Sequence, residues 1–187
     1  MMEILISLSV NMLIKGESIE ISYTVVNRSE RTIYLTNLAV RTIEKKGPIP
    51  DPSLAFIYFE KDTIHIAKRY PTIPKDKFFT PLSHYVTPIA SNQSFSEKFS
   101  IPFPIHEVIP YLSKNDLGIQ TKKHFVDFSL GYVISDSSIE AVELVRDAHK
   151  VYLLRANPRV EEKDLIKPMV ENFLSSNIFQ LEIPVLE

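Results

Sequence analysis

The segment "IEISYTVVN", residues 19 to 27, puts Ile19, Ile21, Tyr23 and Val25 at every second position, with Glu20, Ser22 and Thr24 between them. An extended chain points successive side chains to opposite faces, so this alternation predicts a strand with one buried face. Upstream, "ILISLSV" repeats the pattern with Ile4, Ile6, Leu8 and Val10, and Lys15-Gly16-Glu17 supplies the turn between the two. Downstream, Asn27, Ser29 and Glu30 break the pattern before "TIYLTNL" resumes it. Asn and Ser side chains close tight turns by bonding to nearby backbone, so the break reads as a connection between two strands.

Further alternating segments lie at 54–60 and 63–68, joined by Lys61-Asp62 as a hairpin signal, and at 95–103, 124–134, 151–154 and 178–186. Together they predict about nine strands, enough for two packed sheets. Helical signals are few. Pro168 opens "PMVENFLSS" with Met169/Phe173 and Val170/Leu174 at helical spacing, and "SSIEAVELVRDA" carries Ser137 and Glu140 as a capping box. Val142 and Leu144 also alternate, so residues 138–149 fit a helix or a strand. Ten of the 13 prolines fall in three groups, at 48–52, 71–88 and 102–110. Proline lacks a backbone donor and suits connections and edges, so 70–94 reads as one long loop. The expected fold is a single mainly β domain over 1–187. It is an antiparallel immunoglobulin-like β-sandwich with one or two short peripheral helices, long Pro-rich loops, a loop insertion near 70–94 and a partly helical insertion near 136–176.

Composition narrows the function. Of the 187 residues, 44% are hydrophobic and 24% charged, and the formal net charge is −2. That is globular rather than disordered, and it lacks the basic stripe that nucleic acid requires. Cysteine is absent, which removes thiol chemistry and cysteine metal sites. The amino terminus has no basic segment followed by an unbroken apolar one, and no apolar run reaches the ~18–20 residues of a membrane span, so the expectation is a cytoplasmic protein.

Motifs for chemistry are missing. The glycines, at 16, 47, 118 and 131, are too dispersed for a phosphate loop or dinucleotide fingerprint, and no Gly-x-Ser-x-Gly elbow occurs. The histidines at 65, 84, 106, 124 and 149 never pair at i,i+2 or i,i+4, the spacings that put two imidazoles on one face, so no metal or cofactor is expected. Asp127 interrupts "FVDFSL", but alternation sends it to the outer face. The expectation is therefore a non-enzyme with a protein partner. Its candidate partner-binding residues are Tyr70, Phe78, Phe79, His84 and Tyr85 in "YPTIPKDKFFTPLSHYVTP", where prolines stiffen an aromatic-rich segment. The competing reading packs those aromatics over an open end of the fold.

In "SIEISYTVVNRSERTIYL" the chain resembles intracellular bacterial immunoglobulin-like sandwich proteins, and most nearly the intracellular proteinase inhibitor family. Tyr23, Val25, Asn27, Ser29, Ile33 and Leu35 carry the resemblance, which covers about twenty residues. "FSIPFPIHEVIPY" and "LGYVI" are similar to bacterial sandwich proteins of no assigned activity. The resemblance implies a binding role and transfers no inhibitory residue. Three functions follow as expectations: an adaptor or subunit of a bacterial assembly, an inhibitor or immunity protein that neutralises an enzyme or toxin, or a hydrolase whose site is built from residues distant in sequence.

Overall fold

The computed structural model describes residues 6–43, 47–69, 84–108, 119–146, 149–156 and 171–186. These residues are mainly strand, and no helix occurs among them. The alternating segments form β1 (Ile6–Lys15), β2 (Ser18–Asn27), β3 (Ile33–Ile43), β5 (Phe56–Glu60), β6 (Thr63–Lys68) and β8 (Gln93–Pro102), with β4 (Gly47–Asp51) and β7 (His84–Ile89) between them. The second half supplies β9 (Ile119–Ile134), β10 (Ile139–Arg146), β11 (His149–Ala156), β12 (Asn172–Ser175) and β13 (Phe179–Leu186).

Two sheets result. The smaller has the order β1-β2-β8 and is antiparallel throughout, with ten paired positions on each side of β2. The larger has the order β10-β11-β7-β3-β9-β6-β5, and within it β6 and β9 pair in parallel. β12 and β13 also pair with β9, and β4 pairs with β3. β6 and β12 both pair with β9 at Leu130, and β3 and β12 both pair with it at Tyr132, so β12 lies on one edge of β9 while β6 and β3 follow one another along the other. β3 leaves β9 after Leu35, near a register shift against β7, and on that edge β6 takes its place from Leu130.

The core lies between the sheets. Ile19, Ile21, Tyr23 and Val25 of β2 are buried as alternation requires, together with Phe99 and Ile101 of β8. They meet Ile64 and Ile66 of β6, Val126, Phe128 and Leu130 of β9, and Ile183 and Val185 of β13 in one cluster. Phe128 is central to it, with ring centroids 5.1 Å from Tyr23 and 6.1 Å from Phe99. A smaller cluster of Val86, Val133 and Leu154 covers the other face of the large sheet.

Several expectations need correction. Residues 139–146 are a strand paired along their whole length with β11, and 172–175 are a strand on β9. In both places a ladder of backbone hydrogen bonds to a distant segment overrides a weak local helical signal. The 70–94 segment is not one loop, because β7 and the start of β8 lie within it. The hairpins are as expected: Gly16 takes a φ of 55° between β1 and β2, and Lys61 a φ of 55° between β5 and β6. Among the described residues, no helix is long and apolar enough to cross a membrane.

The Asn27 break is a crossing between sheets, because β2 belongs to the small sheet and β3 to the large one. Asn27 is fully buried. Its Nδ2 donates to the carbonyls of Arg31 (2.8 Å), Ile89 (3.0 Å) and Ala90 (3.1 Å). Its Oδ1 accepts from the Ser29 backbone N–H at 3.1 Å and the Ser29 hydroxyl at 2.6 Å. Ile89 and Ala90 begin the β7–β8 crossing, so one side chain ties both crossings together. Replacing Asn27 with Ala leaves several buried groups without partners, each of which costs ~1–3 kcal/mol. Urea denaturation of Asn27→Ala is expected to show a loss of at least ~2 kcal/mol, and a loss indistinguishable from a surface substitution would refute this role.

Candidate functional site

Of the residues expected to bind a partner, Tyr70, Phe78 and Phe79 lie outside the described residues. His84 opens β7, where its backbone pairs with Leu154. Tyr85 pairs with Leu38 and Leu153 and is 2% exposed, while its neighbour Val86 is fully buried. Both faces of β7 are thus covered, so Tyr85 is a packed strand residue rather than a displayed anchor. The reason is the hydrogen-bonded position of β7 between β3 and β11, which no local signal announces.

The structure instead assembles a polar centre inside the core. Alternation in "SFSEKFSIP" sets Glu97 on the same face as Phe95, Phe99 and Ile101, so β8 turns a carboxylate inward opposite Tyr23. Lys68, the last residue of β6, follows Ile64 and Ile66 into the core, and none of its side chain is exposed. Asn37 sits in the irregular part of β3 and is 1% exposed.

These groups converge on one carboxylate. Lys68 Nζ donates to Glu97 Oε1 at 3.0 Å and to the carbonyl of Pro52, and it stands 4.4 Å above the Phe99 ring. Asn37 Nδ2 donates to Glu97 Oε2 at 3.2 Å, and the Tyr23 hydroxyl donates to the same oxygen. Asn37 Oδ1 is buried without a hydrogen-bond partner. Burial pushes the Lys68 ammonium below the usual lysine range, against the opposing pull of Glu97. Burial, followed by the adjacent Glu97 charge, pushes the Tyr23 hydroxyl well above its usual range and keeps it a donor. Chemically the centre is a desolvated amine and a primary amide held on one proton-accepting group.

A second constellation lies on the outer face of the large sheet. The parallel register of β6 and β9 sets His65 beside Asp127, and His65 Nδ1 is 2.9 Å from both carboxylate oxygens. The imidazole stacks on Tyr58 at 4.6 Å, and Glu60 Oε2 is 3.7 Å from Nε2. Sequence reasoning discarded Asp127 as a solvent residue. Its face was right, but its partner, 62 positions away, belongs to tertiary structure. Glu97 was legible, since the alternation that marks Phe95 and Phe99 as inward marks it too. Among the described residues, no group of three or more His, Cys, Asp or Glu is placed to hold a metal ion.

The outer face of the small sheet is flat and polar. Ser9, Asn11, Ser22, Thr24, Ser96 and Lys98 line a shallow recess of 320 Å³. Glu20, beside it, pairs with Lys15 at 2.8 Å and Lys98 at 2.7 Å, which hold its carboxyl below the usual range.

Glu97→Ala leaves the Lys68 charge buried without its counter-ion and is expected to lower stability by ~3–5 kcal/mol. Ser96→Ala, one residue away on the outer face, is expected to change it by under ~0.5 kcal/mol. Chemical denaturation compares the two, and equal values would show that the centre contributes nothing. No protein-family model, curated protein or solved structure matches the chain.

Proposed function

We propose that the chain is a non-enzymatic protein-binding module of the cytoplasm, an immunoglobulin-like sandwich acting as an adaptor or subunit of a bacterial assembly. The observation that supports this reading best is the edge of β1. All ten residues of β1 pair with β2, while its other edge carries no partner strand among the described residues. An unpaired, regular edge offers a row of backbone donors and acceptors to which a partner's extended segment adds as a further strand. β1 contains no proline, its only charge is the terminal Lys15, and Leu13 and Ile14 are each 46% exposed. An inhibitor or immunity protein would use the same edge, so that alternative differs in the partner and not in the surface. Tyr70, Phe78 and Phe79 remain candidates for a second contact.

Affinity capture with the full chain as bait tests this. Leu13→Lys puts a charge on the edge and is expected to reduce recovery of a specific partner at least tenfold with an unchanged melting temperature. The Phe78→Ala/Phe79→Ala double variant reports whether the 70–83 segment contributes. If no specific partner is recovered, or Leu13→Lys recovers it equally, the edge reading fails.

One observation favours a second reading, a hydrolase assembled from distant residues. In the His65–Asp127 pair the carboxylate orients the imidazole through Nδ1 and leaves Nε2, with Glu60 Oε2 3.7 Å away, as the ring nitrogen for proton transfer, the arrangement of an oriented general base. A hydrolytic activity abolished by His65→Ala in a folded variant would establish that reading, and activity equal in His65→Ala and the native chain would end it.

A further inference from the structure

The buried centre holds the three groups that a transamidation requires. Glu97 bridges two nitrogens, with Lys68 Nζ 3.0 Å from one oxygen and Asn37 Nδ2 3.2 Å from the other. The amine is fully buried, its ammonium form is stacked on Phe99, and the amide oxygen Asn37 Oδ1 has no hydrogen-bond partner. Each of these is unfavourable for a group meant only to hold a fold. A desolvated lysine beside a carboxylate is primed to act as a neutral amine nucleophile. Fixing it next to an amide replaces a bimolecular encounter with an intramolecular one.

We propose that Lys68 and Asn37 join spontaneously in an intramolecular isopeptide bond, with Glu97 relaying the protons. Glu97 takes a proton from the Lys68 ammonium, which gives a neutral amine and a carboxylic acid, a pair that the low-dielectric core favours over two charges. Nζ attacks Asn37 Cγ and forms the new C–N bond. The protonated Glu97 polarises the amide and then delivers its proton to the departing Nδ2. The Cγ–Nδ2 bond breaks, and the second proton lost from Nζ passes through Glu97 to the departing ammonia, which leaves as ammonium and returns Glu97 to its carboxylate form. The net change is an ammonium side chain and a primary amide becoming a secondary amide plus an ammonium ion, with no oxidation and no co-reactant. The Tyr23 hydroxyl, donating to the same Glu97 oxygen as Asn37, is a positioning group for the carboxylate.

The product is a clasp between β3 and β6, which follow one another along one edge of β9 in the large sheet. It falls just beyond the last β3–β9 pair, at Leu35, and at the last β6–β9 pair, at Lys68. That is where β3 turns away from β9, so the bond would pin the strand at its point of departure. The reaction occurs once per chain and is compatible with a non-enzymatic role.

Intact-mass measurement of the purified full chain tests the proposal. The expected mass is that of the sequence less one ammonia. Tryptic digestion is expected to give a branched peptide in which residues 32–41 are joined to residues 62–69, with cleavage after Lys68 blocked. Glu97→Gln keeps the size of the side chain and removes the proton relay, so this variant is expected to show the full sequence mass while still giving a strand-type circular dichroism spectrum. Lys68→Met, which has no nucleophile, is expected to show the full mass as well. A native chain of full sequence mass overturns the proposal. So does an ammonia loss that maps to a succinimide at any asparagine, or one that persists in Lys68→Met.

Discussion

Two sheets can share a core only if the chain crosses between them, and each crossing takes backbone polar groups through a region with little water. The Asn27 side chain meets that requirement for two crossings at once. It donates to carbonyls on both the β2–β3 and β7–β8 connections and accepts from Ser29. Ser91 adds to the corner by donating to the Ser29 carbonyl at 2.7 Å. A fully buried amide with both ends occupied holds a geometry that an apolar residue of the same size cannot. Everything packed between the sheets, from Tyr23 against Phe128 to Phe99 beside it, depends on that spacing being kept.

The same core contains a charge. Burying Lys68 and Glu97 together costs desolvation that their mutual attraction offsets only with good geometry and full hydrogen bonding. Lys68 has that in Glu97, the Pro52 carbonyl and the Phe99 ring. Asn37 has it at one end only. A hydrophobic trio in these positions would serve stability as well or better, so the polar groups point to chemistry or to specificity rather than to holding strength. The irregularity of β3 serves this centre directly. By leaving β9 after Leu35, the strand carries Asn37 into the core, and Thr36 donates to Glu171 over Gly131. A side chain at Gly131 would collide with both, which accounts for a glycine inside a long central strand.

Sheet membership follows from pairings that join distant residues. β12 and β13 return forty or more positions to complete β9, and β6 reaches it in parallel. The helix-like spacing in "SSIEAVELVRDA" and "PMVENFLSS" yields to this, because a segment that can complete a ladder satisfies its backbone groups and covers apolar surface at once.

The alternation of Ile19, Ile21, Tyr23 and Val25, the turns at Gly16 and Lys61-Asp62, and the turn chemistry of Asn27 and Ser29 were all determined by the sequence alone, because each depends on neighbours a few positions apart. The inward placement of Glu97 was determined in the same way, through the period of its strand. Tertiary structure decided that β2 and β3 belong to different sheets, that Tyr85 is packed rather than displayed, and that 139–146 is a strand. It also decided the pairing of His65 with Asp127 and the meeting of Lys68, Asn37 and Glu97, which come from three strands in two sheets. The physical reason is range. A strand's own period sets which way each side chain faces, but what it faces is set by registers between segments that no local pattern encodes.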